Sequence, residues 1–213
     1  MKIYTFYTDS HDILLNKYFL PTVPDEFEVI VEKFPQDCES GNFMQSGWFD
    51  TMTKKVNYVL KSIEECWGGE FIHADCDVQF FKPFKKDILS QLDDCDVAAQ
   101  QDEKNELCCG FFICKANKRT KNLFEEVKRL MSNKTNDQVV LNSIKNNYVK
   151  SKTLDHRYFS VVQYLQKEYI PLWTPEIKID IFDKNIIMHH ANWTIGVENK
   201  IKLLDTVRLG VCS

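Results

Sequence analysis

Phe71-Ile72-His73-Ala74-Asp75-Cys76-Asp77-Val78-Gln79-Phe80-Phe81 reads as a buried strand that runs into two acids one residue apart. In an extended segment residues i and i+2 point to the same side, so Asp75 and Asp77, roughly 7 Å apart between Cα atoms, can reach one cation. A hard divalent ion suits such oxygen donors. Mg2+ or Mn2+ is commonly held by one or two carboxylates, with its other positions left to water and substrate phosphates. The pair therefore marks a candidate diphosphate site at the end of a strand.

Outward toward the N-terminus, residues 2–7 alternate and are rich in aromatic and β-branched types, then break at Thr8-Asp9-Ser10. This predicts a first strand ending in a polar loop. Residues 11–20 read as helical and 27–32 as a second strand. From Ser46 onward Met52, Val56, Val59, Leu60 and Ile63 recur on one helical face, which ends near Cys66 before Gly68-Gly69. Lys55 lies at the edge of that stripe, where a lysine either snorkels at the rim of a core or is aimed at phosphate. Strand, helix and strand alternate up to Ala74, which puts Asp75 at the carboxyl end of a central strand, where open α/β sheets bind ligands.

Toward the C-terminus, Pro83 stops the apolar run, residues 87–92 form a short helix, and 96–100 and 109–114 read as strands. Residues 118–131 are amphipathic, with Leu123, Phe124, Val127, Leu130 and Met131 inward. Asn136-Asp137-Gln138 opens a further helix, in which Asn136 or Asp137 can serve simply as the N-cap. Residues 149–154 predict a strand ending at Asp155, and 186–192 a late strand carrying His189 and His190. Gly196 and Lys200 fall in a loop that leads into a C-terminal helix.

With 213 residues, 44% of them hydrophobic, the chain is long enough for one sizeable core, so one domain over 1–213 is expected, or one domain of a longer protein. The net charge of -4 and the lack of a dense lysine or arginine block argue against a nucleic-acid stripe or a polybasic membrane anchor. An anionic substrate must then be held by local cations, helix N-termini or a metal. No apolar run reaches the ~18 residues of a membrane span, so a soluble protein is expected. The opening Met1-Lys2-Ile3-Tyr4-Thr5 is no secretory leader, and the eight cysteines include no C-x-x-C pair, which suits reduced thiols of a cytosolic protein better than zinc ligands.

Asp75-Cys76-Asp77 after a strand, Cys109-Gly110-Phe111-Phe112-Ile113, Asn136-Asp137-Gln138 opening a helix, Leu154-Asp155, and His190-Ala191-Asn192-Trp193-Thr194-Ile195-Gly196 followed by Lys200 occur in that order. In these features residues 1–204 resemble the nucleotide-diphospho-sugar transferases of GT-A fold. The resemblance is nearest to the compact glycogenin-like and plant cell-wall galactosyl- and xylosyltransferase-like groups. Length and cysteine content are also similar to the glycosyltransferase domain of a large algal-virus protein.

The resemblance implies an α/β fold, a single Rossmann-like GT-A domain with a mostly parallel mixed central sheet flanked by helices. It implies an enzyme that moves a sugar from a nucleotide-diphosphate sugar to a glycan or glycoprotein acceptor, with UDP favoured on its frequency among such enzymes. Asp75, Asp77 and His190 would be the metal ligands, with His189 on the opposite face of the strand as the competing candidate. A histidine ligand favours Mn2+ over Mg2+. Thr5, Phe6, Tyr7 and Asp9 would hold the nucleobase and ribose, unless Phe6 and Tyr7 are ordinary strand residues. Lys200, and Lys55 as a second candidate, would neutralise the diphosphate beside Asp75, while Gly196 would let the backbone come close to it.

Gly110 lies on the strand whose preceding residue touches the sugar in such enzymes; here that residue is Cys109, preceded by Cys108, a less polar lining that suits a deoxy-sugar. Asp137, Gln138 and Asp155 are the candidates beside the anomeric carbon, with retention by front-face attack favoured. An inverting enzyme would need a carboxylate base, for which Asp102 or Asp155 could serve. A metal-dependent phosphohydrolase would need more clustered ligands. A nucleotidyltransferase would need a glycine-rich loop where this chain has Thr8-Asp9-Ser10-His11-Asp12. A non-catalytic binding module that keeps the fold is the remaining alternative.

Overall fold

The computed structural model describes residues 1–103, 105–132, 135–179 and 183–212. Its framework is a six-stranded sheet whose central strands are buried on both faces, as near-continuous apolar strands must be. β1 (Lys2–Tyr7) pairs in parallel with β2 (Glu28–Lys33) and with β3 (Glu70–Ala74). β6 (Leu107–Lys115) runs antiparallel to β3 on one side and to β5 (Val97–Gln101) on the other, and β5 pairs in parallel with β7 (Ser151–Thr153). The strand order is β2-β1-β3-β6-β5-β7, a mostly parallel mixed sheet.

Period-two alternation sorts β3 between two cores. Phe71 joins Tyr4, Phe112 and Cys114 on one face, under α1 (Trp48–Glu65), α3 (Lys118–Leu130) and α4 (Asp137–Ile144). Ile72 and Ala74 join Ile3, Phe111 and Ile113 on the other, with α2 (Lys85–Leu92) and α6 (Val197–Cys212). Val56, Val59 and Ile63 of α1 are buried as their spacing predicts, and the Tyr58 ring meets Tyr4 edge-on at 5.8 Å.

A second, three-stranded sheet is built from β4 (Val78–Phe80), β9 (Met188–His190) and β8 (Tyr158–Ser160), in the order β4-β9-β8; α5 (Val162–Lys167) follows β8. The chain crosses from the first sheet to the second at Asp75-Cys76-Asp77. The Asp75 N–H donates to the Gly110 carbonyl at 2.7 Å, prolonging the β3–β6 pairing, and the Asp77 carbonyl accepts from the Ala191 N–H at 3.0 Å, the start of the β4–β9 pairing. The two acids are thus fixed by ladders on either side.

Three local expectations change. Residues 11–20 are not one α-helix. A tight turn at Asp9–His11 is followed by a wide π-helical segment at Leu14–Phe19 and another tight turn at Leu20–Thr22 that contains Pro21. α3 stops at Leu130, because Met131 is already extended, so Leu130 faces solvent rather than core. Lys200 stands in the first turns of α6 and not in a loop, since the helix begins directly after Gly196. All eight cysteines are free thiols. Among the described residues no helix is long and apolar enough to cross a membrane.

Candidate active site

Both sheets end at one cleft of about 380 Å³, a volume within the usual range for small-molecule sites. Asp75 and Asp77 enter from the crossover between the sheets, Lys55 from α1, Asp137 and Gln138 from the start of α4, His190 from the end of β9 and Lys200 from α6.

Asp75, Asp77 and His190 each offer one ligand atom, and these atoms lie within 4.8 Å of one another. His190 Nε2 lies 3.2 Å from Asp77 Oδ1. Its other nitrogen is set by Gln100. Gln100 Nε2 donates to the Phe159 carbonyl at 2.6 Å and reaches Tyr158, which leaves Oε1 as the acceptor for His190 Nδ1 at 3.0 Å. Nδ1 therefore carries a proton, and Nε2 is the atom directed at the carboxylates, the arrangement that second-shell partners give metal-binding histidines. Gly110 completes the cradle. A Cβ there would lie 2.1 Å from His190 Cε1 and 2.9 Å from Asp75 Oδ2, so only glycine admits both side chains. Two carboxylates and an imidazole that presents Nε2, once that nitrogen has shed its proton, suit Mn2+ or Mg2+.

His189 points the other way. It is fully buried, its Nδ1 faces Gln79 Nε2 at 3.3 Å, and burial followed by the neighbouring His190 pushes its pKa down to about 3. Of the two late histidines, His190 is the one gathered with the acids.

Opposite charges hold the acids ionised. Burial alone would raise Asp75, but the Lys55 ammonium at 2.9–3.0 Å outweighs it and brings the carboxyl to about 2. Asp77 is likewise resisted by burial yet held well below the usual carboxylate range, first by Lys200, which it contacts directly, and then by His190. Lys55 is itself buried. Burial works against its charge, and Asp75 and Asp137 (3.8 Å) outweigh that and raise it. Burial would also lower His190, whereas Asp77 pushes it up to about 10.

At the other side of Gly110, Asp102 is buried and gathers three donors: Trp193 Nε1 at 2.8 Å, Gln138 Nε2 at 2.8 Å and Asn192 Nδ2 at 3.3 Å. Burial raises its carboxyl, against the pull of Trp193. Gln138 Oε1 accepts the Cys109 N–H at 3.0 Å, which ties α4 to β6 beside the two thiols. Asn136 caps α4 by accepting the Val139 N–H at 2.8 Å, so Asp137 and Gln138 are left to face the cleft.

Phe6, Tyr7, Lys55, Gly110, Asp137, Gln138, Gly196 and Lys200 line the same cleft. Thr5, Asp9 and Asp155 are not among its lining residues. Thr5 is buried within β1, and Asp9 is exposed and paired with Lys33 at 2.6 Å. Asp155 accepts from Arg157 at 2.5–3.2 Å and from Gln91 at 3.0 Å, and Arg157 also bonds Asp87 at 2.6 Å. This is a bracing network between α2 and the start of β8. Asp155→Asn is accordingly expected to cost roughly 1 kcal/mol of stability, because the pair is partly exposed, and to leave nucleotide binding unchanged. Urea unfolding beside a binding titration checks this, and lost binding at unchanged stability would contradict it.

The sequence alone assigned no role to Gln100, Asn192, Trp193 or His11. Trp193 holds a left-handed backbone (φ 55) at the cleft, a strained conformation that no local pattern announces. His11 lines the cleft from the turn after β1, and burial, then the Lys200 ammonium, lower its pKa.

Residues 24–204 match the family model of the nucleotide-diphospho-sugar transferases. No curated protein matches the chain. Among solved structures it is similar to the apo form of the glycosyltransferase GlyE of Streptococcus pneumoniae TIGR4, with TM-score 0.55 and 10% identity over 97% of this chain and 60% of that one. It is also similar to a glycosyltransferase involved in the glycosylation of the major capsid of PBCV-1, with TM-score 0.61 and 11% identity over 96% and 98% of the two chains. A third is the galactosyltransferase LgtC in complex with donor and acceptor sugar analogs, with TM-score 0.50 and 14% identity over 89% and 86%. The chain thus spans about 60% of the length of GlyE. At such identities the likeness carries the fold, which is the GT-A fold.

Proposed function

The chain belongs to the nucleotide-diphospho-sugar transferase family, and from that premise we propose that it is a divalent-metal-dependent glycosyltransferase, taking a UDP-sugar as donor and a glycan or glycoprotein as acceptor, with retention at the anomeric carbon. The observation that carries the reading is the convergence of Asp75, Asp77 and His190 beside Lys200 and Lys55 in one cleft. Asp75, Asp77 and His190 would hold the metal, and a bound Mn2+ would offset the charge that grows on the diphosphate as it leaves.

The remaining roles fall to side chains of this chain. Lys200 is placed to add a second positive charge at the leaving diphosphate. Asp137, Gln138 and Asp102 supply oxygens at the sugar end. In front-face transfer the bond from C1 to the β-phosphate oxygen breaks with its electron pair going to that oxygen. The acceptor oxygen bonds C1 from the same side, and its proton passes to the departing phosphate. Asp102, which accepts from Trp193, Gln138 and Asn192, would help to orient a sugar hydroxyl. The Cys108 and Cys109 thiols in the lining suit a donor with fewer hydroxyls.

The test is release of UDP from a panel of UDP-hexoses and 6-deoxy-sugar donors with Mn2+, with and without glycan acceptors. Acceptor-stimulated release is the result expected, and no release from any donor would sink the transferase reading. A pH dependence follows from His190. With its pKa raised by Asp77, the ring must shed a proton from Nε2 to ligate, so binding releases about one proton and affinity rises with pH. Calorimetry in buffers of different ionisation enthalpy reads this directly. Affinity that stays flat between about pH 6 and pH 9 would contradict His190 as a ligand.

A further inference from the structure

His11 lines the cleft but takes no part in the metal cluster or in the bonds around Asp102. Its hydrogen bonds all gather at one ring nitrogen, Nδ1. Gln36 Oε1 accepts the Ser10 N–H at 2.8 Å, which turns Gln36 Nε2 to donate to Ser10 Oγ at 3.0 Å and to the Cys38 carbonyl. Ser10 Oγ thus accepts from Gln36 and has its own hydrogen to give. His11 Nδ1 lies at 2.8 Å, against 3.3 Å for Thr8 Oγ1. Ser10 Oγ can give that hydrogen to Nδ1, its nearer acceptor, and in the neutral tautomer so formed the proton sits on Nε2.

His11 Nε2 has no hydrogen-bond partner among the described residues, whose polar contacts to this ring all end on Nδ1. The loop that carries Gln36 also closes over the ring. At Gly41, whose φ is +67, a Cβ would lie 2.7 Å from His11 Cε1, so the imidazole is clamped at its edge as well as at Nδ1. The charged groups acting on it are Lys200, Asp77 and Asp75, the same three that define the diphosphate end of the cleft.

We propose that His11 Nε2–H is a hydrogen-bond donor to the diphosphate of the bound nucleotide, preset by the Gln36–Ser10–His11 relay and acting beside Lys200. This rests on the nucleotide-sugar reading above. It assigns to the turn after β1 a phosphate contact in addition to any contact with base or ribose.

Binding of UDP and of uridine to wild type, His11→Phe and His11→Gln, measured with Mg2+ by calorimetry and ligand-observed NMR, tests it. His11→Phe is expected to weaken UDP by about tenfold or more, because a hydrogen bond to a charged group is lost, while uridine binding stays as in wild type. His11→Gln retains a terminal N–H and is expected to stay within about threefold for UDP. Independently of any variant, the imidazole nitrogens of the wild-type protein are expected to show a protonated Nε2 that shifts with UDP and not with uridine. Wild-type protein that binds neither UDP nor GDP overturns the transferase reading and this inference with it. Wild-type binding that His11→Phe leaves within about twofold, equal losses for UDP and uridine, or a proton resident on Nδ1, overturns the inference alone.

Discussion

Asp77→Ala is expected to abolish metal-dependent nucleotide binding, lowering the affinity for a nucleoside diphosphate with Mn2+ by at least about 100-fold, in the range of losing a ligand and its orienting partners together. Asp77 supplies one of three ligand atoms and also contacts His190 at 3.2 Å and Lys200 directly. Removing it leaves both bases without their carboxylate. Repulsion between Asp75 and Asp77 would by itself make the loss harmless to the fold, but each acid is neutralised by its own lysine. A cost of about 2–3 kcal/mol is therefore expected, somewhat below the usual penalty for breaking a buried pair because His190 can shed its proton. Urea unfolding reads the second effect and calorimetry the first. An Asp77→Ala protein that binds the nucleotide normally with Mn2+ would show that the crossover between the sheets is only structural.

Gly110→Ala should do comparable damage with a single methyl group. Its φ is ordinary, so backbone strain is not the reason. The added carbon would sit 2.1 Å from His190 Cε1 and 2.9 Å from Asp75 Oδ2. His190 cannot retreat without losing Gln100, and Gly110 cannot move without disturbing the bond its carbonyl makes to the Asp75 N–H. Overpacking of this kind costs about 1–3 kcal/mol, and metal binding is expected to fall with it. In the double variant Gly110→Ala with His190→Ala the closer of the two clashes is relieved while the one with Asp75 Oδ2 remains, so the double variant should lose less stability than the sum of the two single variants while metal binding stays lost, a coupling that a double-mutant cycle detects. Metal binding by Gly110→Ala equal to that of wild type would mean that His190 does not occupy the cradle during ligation.

Much of this was legible in the sequence because the signals are local. Period-two alternation located β1, apolar runs located β3 and most of β6, the strand ending at Ala74 placed Asp75 at a sheet's carboxyl edge, and Asn136-Asp137-Gln138 marked the start of α4. Strand spacing could not separate His189 from His190 in function, because alternation puts them on opposite faces without saying which face meets Asp77. In the fold β4 pairs with β9, and it is His190 that lies beside Asp77. Asp155 follows a strand as a site acid would, yet Arg157 two residues on captures it, a short-range competition that composition does not reveal. Lys55 could be read from the sequence either as a rim lysine or as one aimed at phosphate, and its burial between two carboxylates was not legible, since those partners lie 20 and 82 positions away in the chain. Gln100, Trp193 and His11 matter only through contacts that the tertiary fold creates.

Calorimetric titration of UDP into the wild-type protein, with Mn2+ and again with the metal chelated, tests most directly whether the Asp75-Asp77-His190 cluster is a metal bridge to a nucleotide. Binding with Mn2+ that is lost on chelation is the result expected. Equal binding in both conditions, or none by UDP or GDP in either, would contradict it.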